Sequence, residues 1–261
     1  MTKPSDPARS DTGVVRAPHR PLTRYYATES DRGAFVRAIF DRTAPDYDRI
    51  ERLLSLGTGS WYRGQAMRRA GLGPRMRVLD VGVGTGLMAL QAALITGDPR
   101  CVVGIDPSAG MMASSRLPEG IELMEGRAEA LPVPDAGFDF LCMGYVLRHI
   151  GDFAAASREF HRVLRPGGRI CLLEITRPES FAGRMFLKAY MKGLVPLLAG
   201  LIGSRRDTAR LWRYYWDTID SCVPPQRILA TLEGAGFVGV RRHVESRALG
   251  MLAEYQAARP L

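Results

Sequence analysis

From Arg77 onward the apolar positions fall into short unbroken runs, separated by stretches in which they recur every three or four residues. The runs RVLDVG (77–82), CVVGID (101–106), IELME (121–125), FDFLCM (138–143) and RICLLEI (169–175) have the length and β-branched content of buried strands. The periodic stretches 86–96, 109–116, 152–164 and 225–235 predict helices. Alternation of this kind means βαβ units, hence an α/β fold with a parallel sheet covered on both faces. The last two runs, GFVGVRRHVE (236–245) and LGMLAEYQAA (249–258), lie too close together for a crossover helix and predict an antiparallel hairpin that closes the sheet edge. Two regions stand outside this frame: a helical lead-in over 31–70 and an insert over 178–222. The layout predicts one domain over 31–261 behind a Pro- and Arg-rich tail, 1–30, which does not read as a secretory signal and is expected to be disordered, with a transit peptide as the alternative.

Composition adds limits. With 46% hydrophobic and 24% charged residues among 261, the chain reads as an ordinary globular protein. Cys101, Cys142, Cys171 and Cys222 form no CxxC or CxxH pair, which argues against a metal site or a disulfide framework and for a reducing, cytoplasmic location. The longest apolar candidate, GLVPLLAGLIG (193–203), is too short to span a bilayer, which takes roughly 20 residues. The net charge of +9 is unevenly spread: between Arg158 and Arg213 stand twelve Lys or Arg against four acids, flanking that apolar run. Basic residues around a short apolar stretch suit contact with an anionic membrane surface, here through 184–213 and at the inner face of the membrane. A core helix with a solvated basic rim gives the same pattern. No nucleic-acid motif accompanies the charge.

The segment RVLDVGVGTGLMAL (77–90) carries the first chemical signal. Gly82, Gly84 and Gly86 sit at alternate positions between the first strand and the first helix, at the carboxyl edge where open α/β sheets bind ligands. The GxGxG spacing is not the GxGxxG that cradles a dinucleotide pyrophosphate, and it suits a nucleoside ligand without phosphates. Asp80, two residues before the first glycine, is a candidate acceptor for a ligand ammonium, directly or through water. Asp106 ends the second strand where such folds place the carboxylate that holds ribose hydroxyls.

With these residues in view, the sequence resembles the class I S-adenosylmethionine-dependent methyltransferases, which implies a Rossmann-like sheet of seven strands and S-adenosyl-L-methionine as cofactor. VLDVGVGTG (78–86) looks like their first motif, VVGIDPSAGMM (102–112) the acidic loop, EGRAEALPVPDAGFDF (125–140) the adenine loop and fourth strand, and EFHRVLRPGGRI (159–170) the helix and turn before the fifth. Within that group it is most similar to the ubiquinone/menaquinone C-methyltransferases, through FDRTAPDYDRIERLLSLG (40–57) and LRHI (147–150). The resemblance covers about 40–259. It implies cofactor contacts at Thr85, Asp106, the Arg127–Ala128 pair and Gly144. Two positions depart from the family's pattern: Arg127 stands where relatives carry Asp or Asn, and Gly144 where they carry Ser.

The implied reaction is methyl transfer to carbon of a lipophilic quinol. Because a phenol has a pKa of about 10, it needs a proton acceptor or a nearby cation. Arg148 is a candidate fixed cation, its bland alternative being an ion pair with Asp152 or Asp48. His149 is a candidate proton acceptor, or else a capping residue at a strand end. Tyr47 is a candidate lid or orienting residue, or else packing. The 178–222 insert is expected to form a helical cap whose Met185, Phe186, Trp212, Tyr214, Tyr215 and Trp216 hold a ring and an apolar tail. A phospholipid amine or a secondary-metabolite phenol is the alternative acceptor. A non-catalytic scaffold subunit of a membrane-associated complex is the alternative class, and a homodimer is compatible with any of these.

Overall fold

The computed structural model describes residues 15–55, 57–195, 197, 205–245 and 250–261. Its centre is a seven-stranded sheet, β1 (Val78–Val81), β2 (Val102–Asp106), β3 (Glu122–Glu125), β4 (Phe138–Gly144), β5 (Leu164–Ile175), β6 (Val238–Val244) and β7 (Leu252–Ala258), in the order β3-β2-β1-β4-β5-β7-β6. The first five pair in parallel, while β7 runs antiparallel against both β5 and β6. The mixed architecture read from the sequence is therefore correct, with the detail that β7, not β6, joins the hairpin to the sheet. Every residue of β1 and β2 is buried, as expected for central parallel strands covered on both faces. Asp80 and Asp106 are the polar exceptions within those runs.

Eight α-helices are described: α1 (Arg32–Leu54), α2 (Gly59–Arg69), α3 (Leu87–Thr96), α4 (Ala109–Ala113), α5 (Phe153–Val163), α6 (Phe181–Ala189), α7 (Arg205–Ser221) and α8 (Pro225–Gly234). One core packs α5 and α8 on the sheet through Phe153, Phe160, Ile228 and Leu232; on the other face α2 and α3 bury Tyr62, Ala66, Met88 and Ala92. A third core lies above the strand ends. There Ile39 and Ile50 of α1 meet Leu187, Met191 and Val195 of α6 and its π-helical extension (Tyr190–Leu194), and Leu211, Trp212, Tyr215 and Trp216 of α7. This third core is the cap, built jointly by the lead-in and the insert.

The tail reading needs correction over 15–30; residues 1–14 lie outside the described residues. Val15 is fully buried and its amide donates to Thr231 Oγ1 at 3.1 Å. The carbonyls of Arg16 and Pro18 accept from Phe153 and Val223 at 2.6 and 2.8 Å. Proline deprives the segment of donors but leaves its carbonyls, so it is held as an acceptor strap along the domain. His19 is buried within it: Arg32 Nη2 approaches Nε2 at 2.7 Å, and burial beside that guanidinium brings its pKa down to about 3.

Candidate active site

The carboxyl ends of β1, β2 and β4 open into a cavity of about 660 Å3, roofed by α1 and the start of the strap helix turn at Glu29–Asp31. Gly82, Gly84 and Gly86 adopt φ of +73°, +55° and +90°, which L side chains rarely accept. A Cβ on Gly82 would lie 2.5 Å from Val146, and one on Gly86 2.6 Å from Leu117. The loop thus turns tightly at the cavity wall, and Gly86 starts α3 from a left-handed cap. Asp106 fixes the neighbouring wall. Its two carboxylate oxygens accept from the amides of Gly84 (2.8 Å) and Ser108 (2.7 Å). Burial nevertheless pushes its pKa up to about 6, against the pull of those two amides.

Of the residues expected to hold a cofactor, Gly82, Gly84, Thr85, Asp106, Arg127, Ala128 and Gly144 all line this cavity. Gly86 shapes the loop from behind. Asp80 does not reach the ligand side: it is fully buried behind the loop, and its oxygens have no well-formed hydrogen bond. Burial pushes its pKa up to about 7, opposed by the Ala89 amide and the Cys142 thiol. Asp80 thus stands outside the cavity lining, where direct contact with a ligand ammonium is closed to it. Thr85 Oγ1 donates to Asp48 at 2.5 Å, while Ser108 Oγ and the Gly110 amide both donate to Asp41. Two acids of α1 thus tie the cap onto the two loops that build the cofactor wall. Arg127 sits at the rim, two-thirds exposed and 3.6 Å from Glu129. Gly144 leaves room for Met88, whose Cγ would lie 2.8 Å from an added Cβ.

The far half of the cavity is aromatic. Phe40, Tyr47, Tyr145, His149 and Tyr215 line it, together with Arg63 of α2. The hydroxyls of Tyr47 and Tyr215 stand 3.0 Å apart. The His149 ring stacks on Tyr214 and meets Phe40 and Tyr215 edge-on. Its Nδ1 faces the Tyr214 hydroxyl at 3.4 Å, and its Nε2 is buried with no partner. Burial, and then the nearby cations Arg148 and Arg32, hold its pKa well below the usual histidine value, so the ring is neutral. Tyr145 has φ +65°, a strained conformation for a bulky residue, and such strain clusters at functional sites.

Arg148 departs from its expected role. It is fully buried, outside the cavity lining, and committed elsewhere. Its Nε donates to Glu174 at 2.8 Å, its Nη1 to Thr218 at 2.6 Å and to the Tyr215 carbonyl at 3.3 Å, and its own carbonyl accepts from Arg32. Neither Asp152 nor Asp48 is its partner. These partners fasten α7 to the ends of β4 and β5, and the remaining donor, Nη2, is buried without a partner outside the cavity lining. The cap aromatics divide similarly. Of the six insert residues expected to hold the acceptor, Tyr215 lines the cavity, Trp212, Tyr214 and Trp216 are packed inside, and Met185 and Phe186 face outward from α6. Arg63 was missed from sequence. Its signal was a cation within the buried stripe Tyr62, Arg63, Ala66, Met67 and Ala70, where apolar residues are expected.

A glycine cradle that a Cβ would fill and a buried carboxylate in the wall fit S-adenosylmethionine, whose parts are a nucleoside, a sulfonium and an amino acid. Comparison with known proteins agrees. The family model described as the ubiE/COQ5 methyltransferase family matches residues 27–259. The chain is 34% identical to the ubiquinone/menaquinone biosynthesis C-methyltransferase UbiE of Syntrophotalea carbinolica over 88% of this chain and 96% of that one. It is 32% identical to the demethylmenaquinone methyltransferase of Symbiobacterium thermophilum, over 78% and 85%. Among solved structures, a SAM-dependent methyltransferase from Thermotoga maritima shares the fold with a TM-score of 0.59 and 23% identity, covering 85% of this chain and 99% of that one.

Proposed function

The chain belongs to the ubiE/COQ5 methyltransferase family, and from that premise we propose that it methylates a ring carbon of a lipophilic quinol, a ubiquinone or menaquinone precursor. The observation that carries this reading is one cavity whose cofactor wall of glycines and Asp106 continues into an aromatic chamber holding a neutral histidine nitrogen without a partner. When bound, S-adenosylmethionine supplies a methyl group on positively charged sulfur, already activated. The chain's own work is to position the acceptor, to take the phenolic proton as the ring carbon attacks, and to return a proton to that oxygen as the methylated carbon gives up its hydrogen to solvent and the ring regains aromaticity.

Full proton transfer from a phenol of pKa about 10 to an ordinary histidine is uphill by about 5 kcal/mol, and to one held well below 6.5 by more than that. His149 Nε2 is therefore a hydrogen-bond acceptor in the ground state. It takes the proton only as electron density leaves the hydroxyl in the transition state and the proton becomes strongly acidic. The Tyr47 and Tyr215 hydroxyls hold a second acceptor oxygen. Burial pushes both their pKa values up, so they serve as donors and not as bases.

The membrane is the proposed source of the acceptor. On α6 and its extension Phe181, Met185, Phe186, Leu194 and Leu197 are exposed among Arg184, Lys188 and Lys192, while Leu187, Met191 and Val195, with Tyr190 partly buried beside them, face the cap core. No described helix is long and apolar enough to cross a membrane. An amphipathic edge of this kind suits the inner surface of an anionic bilayer. The test is methyl incorporation from labelled S-adenosylmethionine into demethylmenaquinol or demethylubiquinol presented in anionic vesicles. Ring-methylated quinol is expected. Methylation confined to phosphoethanolamine lipids or to water-soluble phenols would overturn the quinol assignment, and cofactor binding with no turnover on any acceptor would favour a scaffold.

A further inference from the structure

The quinol reading leaves two acceptor classes open, a benzoquinol and a naphthoquinol, and one residue of the aromatic chamber separates them. Tyr145 stands directly after β4, where its amide donates to the Leu173 carbonyl of β5 at 2.8 Å and so extends the sheet ladder by one bond. That bond is made at φ +65°, a left-handed conformation that a bulky side chain keeps only where its surroundings compel it. What the strain secures is a phenol ring in the cavity wall. The Arg63 guanidinium carbon lies 5.5 Å from the centroid of that ring and holds it in place.

The hydroxyl of Tyr145 has no partner. No described residue stands within hydrogen-bond reach of it, and unlike the hydroxyl of Tyr62, which is sealed inside, it is open to the chamber. Burial pushes its pKa up to about 12 against the pull of Arg63, so the group is a neutral donor. The neighbouring polar groups already have work: His149 Nε2 faces one ring hydroxyl, and the Tyr47 and Tyr215 hydroxyls, 3.0 Å apart, hold the second oxygen. A naphthoquinol brings two ring oxygens, both then spent, and its fused ring is hydrocarbon. Seated against Tyr145, that ring would strip water from the hydroxyl and offer no acceptor in return. A benzoquinol with an alkoxy substituent brings a third oxygen, an acceptor without a proton of its own, which is the partner a neutral phenol donor lacks here.

We infer that Tyr145 selects an alkoxy-substituted benzoquinol over a naphthoquinol as the acceptor, its hydroxyl donating to the alkoxy oxygen. The inference rests on the quinol reading above and narrows it to one of its two ring classes. Tyr145 is thereby a specificity residue: it touches a substituent of the ring and moves neither the methyl group nor the phenolic proton.

The test measures methyl transfer from labelled S-adenosylmethionine to a methoxy-benzoquinol and to a naphthoquinol carrying the same prenyl tail, with the wild-type chain and with Tyr145→Phe. Phenylalanine keeps the ring against Arg63 and the same backbone conformation, and removes the oxygen alone. The wild type is expected to favour the benzoquinol roughly ten- to hundredfold in kcat/KM, the range for a buried donor that is either met or left unpaired. Tyr145→Phe should bring the two acceptors close to parity, losing on the benzoquinol and gaining on the naphthoquinol. Its affinity for S-adenosylhomocysteine, read by calorimetry, should stay at the wild-type value and so report an intact fold. A wild type that turns over both acceptors equally, or a preference that survives in Tyr145→Phe, would overturn the assignment. Equal losses on both acceptors with weaker S-adenosylhomocysteine binding would overturn it too, and move Tyr145 to the cofactor end of the cavity. A wild type that binds S-adenosylhomocysteine and methylates neither quinol would sink the quinol reading, and this selection with it.

Discussion

The sheet edge and the cap meet in one cavity but are specified in different ways. The sheet edge takes its shape from residues adjacent in sequence: three glycines over five positions bend one loop, and the carboxylate of Asp106 grips the amides of Gly84 and Ser108. The cap takes its shape from residues far apart, with Arg148 reaching Glu174 and Thr218, Tyr47 reaching Tyr215, and Thr85 reaching Asp48. A site half local and half tertiary should fail in two distinguishable ways, and single substitutions can separate them.

The largest stability effect is expected at the cap's latch. Arg148→Met would leave Glu174 buried without its cation, a loss of about 3–5 kcal/mol seen in denaturant unfolding. Because the loss comes from the orphaned acid, Arg148→Met with Glu174→Gln should recover part of it. Should Arg148→Met prove as stable as wild type while losing turnover, Arg148 would regain the catalytic role the sequence first suggested.

A comparable effect on rate, with little on stability, is expected at His149. Phenylalanine keeps a ring to stack on Tyr214 but removes the free Nε2. For His149→Phe we expect kcat to fall roughly 10²–10⁴-fold, the range for general acid–base groups, with S-adenosylhomocysteine affinity unchanged. In the wild type, because the histidine is held neutral well below pH 6.5, the kcat profile should show no histidine inflection between pH 6 and 8.

These two arginine and histidine outcomes explain what was legible in the sequence. The strand runs, the tight turn of the glycine loop, the place of Asp106 at the end of β2 and the C-terminal hairpin follow from patterns within some twenty residues, and they stand where those patterns predict. Arg148 and His149 are neighbours in the chain, yet one points into a buried ion-pair network and the other into the cavity; the direction depends on α7, about seventy residues on. The strap over 15–30 was misread because its composition is that of a solvated tail, while its anchoring lies in carbonyls that composition does not reveal. Asp80 looks available two residues before a glycine loop, whereas the structure buries it outside the cavity lining beside the Ala89 amide and the Cys142 thiol, contacts that only the packing of α3 and β4 on β1 reveals.

Smaller effects separate the glycines of the two regions. Gly82→Ala must place a side chain at φ +73° and against Val146, at a cost of about 1–3 kcal/mol, with cofactor affinity falling alongside. Gly33→Ala near the start of α1 meets nothing within 4 Å and should be neutral or stabilise by up to about 1 kcal/mol, the helical preference of alanine. Equal melting temperatures for the two variants would contradict the division drawn here.

The subtlest test uses pH, since both carboxylates of the sheet edge have raised pKa values. A group whose folded pKa exceeds its unfolded value binds its proton more tightly when folded, so Asp80 and Asp106 favour the folded state increasingly as pH falls from about 7 towards 4. Ligand binding should run the other way. With Asp106 in its proposed role, accepting ribose hydroxyls as a carboxylate, S-adenosylhomocysteine affinity should hold above pH 6 and weaken by up to about tenfold per unit below it, a unit of pKa being 1.36 kcal/mol. Asp80→Asn should flatten the stability profile near pH 7 and leave the ligand profile in place, because Asp80 faces the sheet and Asp106 faces the cavity. If the ligand profile moved instead, Asp80 would be part of the cofactor site after all, and the wall of that site would have to be redrawn one residue deeper into β1.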